Sequence, residues 1–160
     1  MSNLILYKIK NKKKLIPQAD NLNYIYDIFL STGLCPITYD TIQFIADELN
    51  TPRQWHYYSS ALFFLDLLEK WKYNSNIILV LTNEGQKLLD KKSKKEFFLY
   101  VKNKLISYKL YSLNSFEIYN NITKIQQLSP TTLERRRFSI QKWIKTIEEF
   151  EKNSFNFISS

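Results

Sequence analysis

Hydrogen-bonding side chains cluster near the start of a helix that we predict over residues 51–68. The cluster comprises Arg53, Gln54, His56 and Tyr57. The fork of an arginine matches the acceptors of guanine, and a glutamine amide pairs similarly with adenine, whereas histidine and tyrosine suit contacts to sugar or phosphate. These residue types, held at one end of a helix, have the chemistry to contact the base edges and the backbone of DNA.

The predicted helix has a well-marked start and an apolar end. Thr51 is suited to cap it, and Pro52 fits the first helical position, where no N–H is needed. Past Ser60 the side that was polar carries Phe63, Phe64 and Leu67, which predicts that this half is buried all round. A helix with a buried end and a projecting polar end suits DNA recognition. An ordinary amphipathic helix with a solvated polar end has the same pattern.

A second polar face lies on a long helix predicted to start at Pro130, with Ser129 as its cap. One side of this helix is an apolar stripe formed by Leu133, Ile140, Trp143, Ile144 and Ile147. The opposite side carries Thr131, Glu134, Arg135, Phe138, Lys142 and Lys145. The helix therefore has one side suited to a core and one suited to a polyanion.

Several residues of this second helix are candidate DNA contacts. Thr131 and Thr132 lie at its amino terminus, where backbone N–H groups and the helix dipole favour phosphate. Arg135 has the most outward angle of three consecutive arginines. Arg136 lies closer to the apolar stripe, so it either contacts DNA or forms a salt bridge with a carboxylate such as Glu134.

The segments that precede and follow the first of these helices complete a helix-turn-helix with a wing. Helical spacing predicts helices over residues 20–32 and 38–50, and the second leads through a tight turn into the helix of residues 51–68. Residues 71–81 contain two strand-like runs separated by Asn and Ser, which predicts a hairpin. Lys72 lies in this hairpin, where we expect a phosphate contact without sequence information.

The remaining segments repeat part of this order. Helices are predicted over residues 93–108 and 116–128, the latter followed by the basic helix, and a short strand over residues 4–10. No second wing is evident. We predict a mainly α fold with a small β wing, made of two winged-helix or helix-turn-helix units in tandem. The first unit, with an N-terminal basic segment, is residues 1–90, the second is 91–152, and a polar tail is 153–160.

The overall composition favours a reduced, cytoplasmic protein with a polyanionic partner. Lys and Arg number 23 against 15 Asp and Glu, giving a formal net charge of +8. A single cysteine, Cys35, excludes an intrachain disulfide, and His56 is the single histidine, so a zinc cluster of His and Cys is not expected. No apolar run reaches the roughly 18 residues that a membrane span needs, and we expect no membrane association.

Catalytic patterns are weak. The sequence Asp90-Lys91-Lys92 is similar to part of a two-metal nuclease motif, but it closes a predicted helix, and Asp66 lies in the apolar half of another. Two glycines do not allow a glycine-rich phosphate loop, and no Gly-x-Ser-x-Gly elbow is present. We expect no enzyme activity, no bound metal and no cofactor.

Two stretches resemble known DNA-recognition modules. RQWHYYSSALFFLDLL followed by LVLTNEGQKLL resembles the Arg-Gln, Tyr-Tyr, Ala and Leu-Thr-x-x-Gly pattern of small winged-helix modules associated with bacterial type II restriction enzymes. TTLERRRFSIQKWI resembles their companion pattern, Thr-x-x-Arg-Arg-x-x-Thr-Val-x-x-Trp-Leu. The matching residues are Thr132, Arg135, Arg136, Trp143 and Ile144, with Ser139 and Ile140 in place of Thr and Val. Asp66 stands where the first pattern usually has glycine.

This resemblance implies a tandem winged-helix unit attached to a nuclease or encoded beside one. We therefore expect double-stranded DNA binding, as a recognition or regulatory component of a restriction-modification system. One alternative is a docking module for a nuclease or methyltransferase subunit, because 11 Tyr and 11 Phe could supply an exposed apolar patch. Another is single-stranded nucleic acid, with Tyr57 and Phe138 stacking on bases.

Overall fold

A computed structural model describes residues 6–9, 16–32, 55–73 and 76–159. These residues form a mainly helical fold with a three-stranded antiparallel sheet. The strands are β1 (Leu6–Ile9), β2 (Leu68–Tyr73) and β3 (Asn76–Leu81). The helices are α1 (Leu22–Ser31), α2 (Trp55–Phe64), α3 (Asn83–Lys91), α4 (Lys94–Ser107), α5 (Ser115–Ile125) and α6 (Pro130–Ser159).

The contacts divide the chain into two compact units. The first unit comprises Met1–Ala19 and Asn23–Ser93, and the second comprises Asp20–Leu22 and Lys94–Ser160. The sheet, α2 and α3 belong to the first unit, and α4, α5 and α6 belong to the second. The helix predicted over residues 38–50 lies outside the described residues.

The sheet of the first unit is built on the predicted hairpin. β2 and β3 pair antiparallel, with Trp71 opposite Ile78 and Lys72 opposite Ile77. The short strand predicted near the N terminus is confirmed as β1, which pairs antiparallel with the other edge of β2 and places Lys8 opposite Trp71. The central strand is therefore β2.

The core of the first unit combines α1, α2 and the sheet. Its apolar members are fully or nearly fully buried: Ile25, Ile28, Phe29, Tyr58, Leu62, Leu65, Leu67, Leu68 and Leu79. The rings of Tyr24 and Tyr58 make an edge contact with centroids 6.4 Å apart, which joins α1 to α2. The prediction of a buried carboxy-terminal half of α2 is confirmed for its aliphatic residues, whereas Phe63 is half-buried.

The helix predicted over residues 51–68 ends earlier than expected. The described part of α2 is Trp55–Phe64, so the prediction of helix for residues 65–68 was wrong. Asp66 adopts the left-handed conformation, with φ of 59°, and the Leu67 N–H donates to the carbonyl of Leu62 at 2.9 Å. This bond is typical of a Schellman C-cap, which reverses the chain direction and allows β2 to start immediately afterwards.

The same turn holds the start of α3. Thr82 caps α3 by accepting a 2.9 Å hydrogen bond from the Gly85 N–H, and its hydroxyl donates to the carbonyl of Asp66 at 2.5 Å. The Thr82 N–H donates to the carbonyl of Leu67 at 3.1 Å. A Cβ at Gly85 would lie 2.4 Å from this same Leu67 oxygen. The Leu-Thr-x-x-Gly segment therefore fastens α3 to the end of α2.

The second unit packs α4 and α5 against the long helix α6. Its buried apolar residues include Phe97, Phe98, Val101, Leu105, Leu110, Ile118, Ile122, Leu133, Ile140, Trp143, Ile144 and Ile147. Between α4 and α6, the Nζ of Lys102 lies 3.1 Å from both carboxylate oxygens of Glu151, and the rings of Phe98 and Phe150 are 4.9 Å apart. α6 continues through the expected polar tail to Ser159.

The helix predicted over residues 116–128 is confirmed in its central part and corrected at its end. Asn114 caps α5 by accepting hydrogen bonds from the N–H groups of Phe116 and Glu117. The helix ends at Ile125, whose side chain is exposed rather than part of the buried stripe. No helix in the described ranges combines the length and the apolar character needed to cross a bilayer.

Candidate nucleic-acid interface

The amino terminus of α6 is fixed by the cap that the sequence predicts. The hydroxyl oxygen of Ser129 accepts a 3.4 Å hydrogen bond from the Thr132 N–H, and the same hydroxyl donates to the Thr132 hydroxyl at 2.9 Å. The carbonyl of Ser129 accepts a 2.8 Å hydrogen bond from the Leu133 N–H. Pro130 is the first helical residue. Thr131 and Thr132, the two candidate phosphate contacts, therefore lie in the first turn. Thr131 is exposed and Thr132 is half-buried.

The outward side of α6 is the one that the periodicity predicts. All members of the predicted apolar stripe are buried, which turns the other side to solvent. The exposed residues between Pro130 and the middle of the helix are Thr131, Glu134, Arg135, Phe138, Lys142 and Lys145, and Pro130 itself is exposed. We call Arg135, Phe138, Lys142 and Lys145 the basic face. From Arg135 to Lys145 it extends about 15 Å along the helix axis.

Charge is segregated along α6. The half from Pro130 to Lys145 contains the basic residues Arg135, Arg136, Arg137, Lys142 and Lys145 and one acidic residue, Glu134. The half that follows contains Glu148, Glu149 and Glu151 and one basic residue, Lys152. The positive end of the helix dipole lies at Pro130. An anionic partner is therefore favoured at the amino-terminal half and disfavoured at the carboxy-terminal half.

The three consecutive arginines have different environments. Arg135 is exposed. Arg136 is half-buried, and its Nε is shielded from solvent. Glu134 pairs with Arg137, which also donates to Gln141. Of the three guanidinium groups, that of Arg135 is the best placed for an external ligand.

Lys142 has two neighbours on the surface of the second unit. Its Nζ lies 3.7 Å from Oδ2 of Asp20 and 5.4 Å from the centre of the Phe138 ring. The Lys142 side chain is 51% exposed and that of Asp20 is 38% exposed, so water still reaches both charges. An ion pair of this kind contributes little to stability and gives way readily to a competing anion.

The described part of the first unit contributes a smaller set of candidates. His56 is exposed and Tyr57 half-buried in the first turns of α2, and their ring centroids are 4.0 Å apart. The hydroxyl of Ser59 donates to the carbonyl of His56 at 3.0 Å. Arg53 and Gln54 lie outside the described residues, so their proposed base contacts stay predictions.

The hairpin places Lys72 close to its turn. Lys72 is half-buried and lies opposite Ile77, which is exposed. The neighbouring lysines have partners within the unit. The Nζ of Lys70 lies 4.8 Å from the centre of the Phe63 ring, and that of Lys8 lies 2.9 Å from Oε2 of Glu69.

Two features of this surface were not predicted from the sequence. The pairing of Asp20 with Lys142 joins residues far apart in the chain, and no local spacing indicates it. The pairing of Glu134 with Arg137 does have a local signal, because residues three apart on a helix are neighbours, whereas Arg136 is two positions from Glu134 and does not face it. Within the ranges that the structure describes, no group of three or more His, Cys, Asp or Glu side chains could hold a metal ion.

Comparison with known proteins gives one match. The curated proteins and the solved structures contain no significant match to the chain. A family model described as "Domain of unknown function (DUF7226)" matches residues 40–152, which include α2 to α5, the β2–β3 hairpin and the basic face of α6. With most of its length matched, the chain belongs to the DUF7226 family of domains of unknown function.

Proposed function

We propose that this protein binds double-stranded DNA through two helix-turn-helix units in tandem, the first of them winged. The observation that carries the proposal is the basic face of α6, which is exposed, lies next to a capped helix start and is separated from the acidic half of the same helix. The formal net charge of +8 supports a polyanionic partner. The resemblance to modules associated with restriction enzymes supports a recognition or regulatory role in a restriction-modification system.

In this proposal the amino-terminal half of α6 enters the major groove. Arg135 donates to a guanine edge, because its guanidinium is exposed one turn from the helix start. Thr131 and Thr132 bind a phosphate together with the N–H groups of the first turn. Lys142 exchanges the Asp20 carboxylate for a second phosphate, and Arg136 contributes through packing as much as through charge.

The first unit makes the second set of contacts. Arg53 and Gln54 bind base edges, and His56 and Tyr57 bind sugar or phosphate beside them. Lys72 adds a backbone contact from the hairpin. The contacts of His56, Tyr57 and Lys72 orient the unit on the duplex, whereas those of Arg53 and Gln54 discriminate between bases.

The test is fluorescence anisotropy with a labelled randomised duplex pool and with the matching single strands, each titrated at two salt concentrations. We expect preference for the duplex and a steep loss of affinity as salt rises, because bound phosphates release counterions. The combination of Arg135→Ala and Lys142→Ala should weaken binding at least tenfold. Its control is the pair Lys87→Ala and Lys152→Ala, which removes the same charge from two exposed positions to which the proposal assigns no DNA contact.

Two results would contradict the proposal. One is the absence of duplex binding at low salt. The other is an equal loss of affinity for the two charge-matched variants, which would reduce the interaction to net charge. Preference for single strands would favour base stacking by Tyr57 and Phe138 instead.

A second candidate function is docking to a nuclease or methyltransferase subunit. It is favoured by two large apolar side chains at the start of α5, since Leu113 is 76% exposed and Phe116 is 70% exposed. Binding through such a surface should respond little to salt. Replacement of both residues by serine should abolish it while leaving duplex affinity unchanged.

A further inference from the structure

The basic face of α6 has an apolar group at its centre. Phe138 is 47% exposed and lies between Arg135 and Lys142, at helical spacings that put all three on one side. The structure describes residues 130–145 without a gap, and among them Phe138 is the one large hydrophobic residue that is exposed to solvent. An aromatic ring at this position cannot form the charge-assisted contacts that the rest of the face offers.

The neighbours of Phe138 restrict what it can meet. The Nζ of Lys142 lies 5.4 Å from the ring centre, and Arg135 is exposed one turn towards the helix start. Cationic groups on both sides favour a polyanion and disfavour an apolar protein surface, because burying their charges against apolar groups would be costly. The occupant of this surface must therefore combine negative charge with an apolar group.

We propose that Phe138 contacts the C5-methyl group of thymine in the major groove, and so gives the second unit a preference for thymine beside the base bound by Arg135. In duplex DNA the base faces are stacked, and the thymine methyl is the apolar group that the major groove presents to a protein. Phosphates of the same groove are within reach of cations that flank the ring. This inference rests on the proposed function and adds a base preference to it.

The test measures the effect of the thymine methyl group alone, because deoxyuridine lacks that methyl and keeps the same base-pairing groups. Duplexes enriched from a randomised pool by the native chain are prepared with thymine and, separately, with deoxyuridine in its place. We expect the deoxyuridine duplexes to bind the native chain about fourfold more weakly for each contacted methyl, equivalent to about 0.8 kcal/mol. In Phe138→Ala this ratio should be about fourfold smaller than in the native chain.

Two further variants define the contact. Phe138→Leu keeps an apolar side chain and should retain most of the thymine preference, whereas base stacking would require an aromatic ring. Phe116→Ala makes the same change at an exposed phenylalanine on α5 and should keep the native ratio. Comparing ratios between variants cancels the effect of deoxyuridine on DNA shape, as in a double-mutant cycle.

The outcomes distinguish this inference from the function on which it rests. Salt-sensitive duplex binding with equal ratios for the native chain and Phe138→Ala overturns the thymine contact alone, as does an enriched site that contains no thymine. A loss in Phe138→Leu as large as in Phe138→Ala, with single strands preferred, assigns the ring to base stacking. Failure of the native chain to bind any duplex overturns both proposals.

Discussion

The carboxylate of Asp20 and the ammonium group of Lys142 form an ion pair, with Oδ2 and Nζ 3.7 Å apart, beside the proposed DNA-binding face. Asp20 precedes α1 in the sequence and belongs to the second unit, as Lys142 does. A phosphate that binds Lys142 must displace Asp20 or accept its repulsion. If the basic face binds DNA as proposed, we expect the pair to lower its affinity.

Replacement of Asp20 by Asn should strengthen duplex binding. The change removes one negative charge and leaves Lys142 available to phosphate. Since exposed ion pairs contribute up to about 1 kcal/mol, we expect a gain of up to about fivefold at low salt, and less at high salt. Anisotropy titrations measure it.

The control is Asp90→Asn, which makes the same charge change at an exposed position on α3, where Asp90 accepts a hydrogen bond from Gln86. This control should change affinity by less than Asp20→Asn. Equal gains in the two variants would show that Asp20 acts through net charge and not through Lys142.

The junction between α2 and α3 predicts an unusual response to a helix substitution. Gly85 lies in α3, where alanine normally stabilises a helix by about 0.5–1 kcal/mol relative to glycine. Here the new Cβ would lie 2.4 Å from the carbonyl oxygen of Leu67. Gly85→Ala should therefore lower the free energy of unfolding by about 1–3 kcal/mol, the usual range for overpacking. Urea unfolding measures the sign, with Lys87→Ala on the same helix as reference, and a more stable Gly85→Ala would contradict the junction.

The turn at Asp66 predicts a change of opposite sign. Asp66 has φ of 59°, a conformation that glycine adopts without the steric cost borne by a residue with a Cβ. Asp66→Gly should raise the free energy of unfolding by about 1 kcal/mol, seen as a higher urea midpoint with an unchanged slope. Lys109→Gly, at the end of α4 and also with φ of 59°, should give a similar gain. Asp66→Ala should not, because it keeps the Cβ.

The helices α6 and α2 show how much of the fold sequence patterns can predict. The start, stripe and outward side of α6 follow from local signals, namely Ser129, Pro130 and apolar spacing, and all are confirmed. The end of α2 did not follow, because the left-handed turn is occupied by Asp66 instead of the glycine that usually marks it. The pairing of β1 with β2 and the contact of Asp20 with Lys142 depend on residues far apart in sequence, which periodicity cannot reveal.

The proposal of two DNA-binding units makes its strongest prediction for Arg53 and Arg135, one in each unit. A bidentate contact between arginine and guanine is worth about 1–3 kcal/mol, so each single change to alanine should weaken binding to an enriched duplex by about 5- to 150-fold. If each arginine contacts its own base, the losses should multiply in the double variant, because independent contacts have additive free energies.

Anisotropy on the four chains, native, two single variants and the double variant, measures this. The salt dependence should change little if the arginines bind bases, whereas lost phosphate contacts would each reduce its slope by about one. The double variant Lys87→Ala and Lys152→Ala again controls for charge. Unchanged affinity in the Arg53 and Arg135 double variant would overturn recognition by two units. A double variant no weaker than Arg135→Ala would instead confine base contacts to α6, with the first unit serving another purpose.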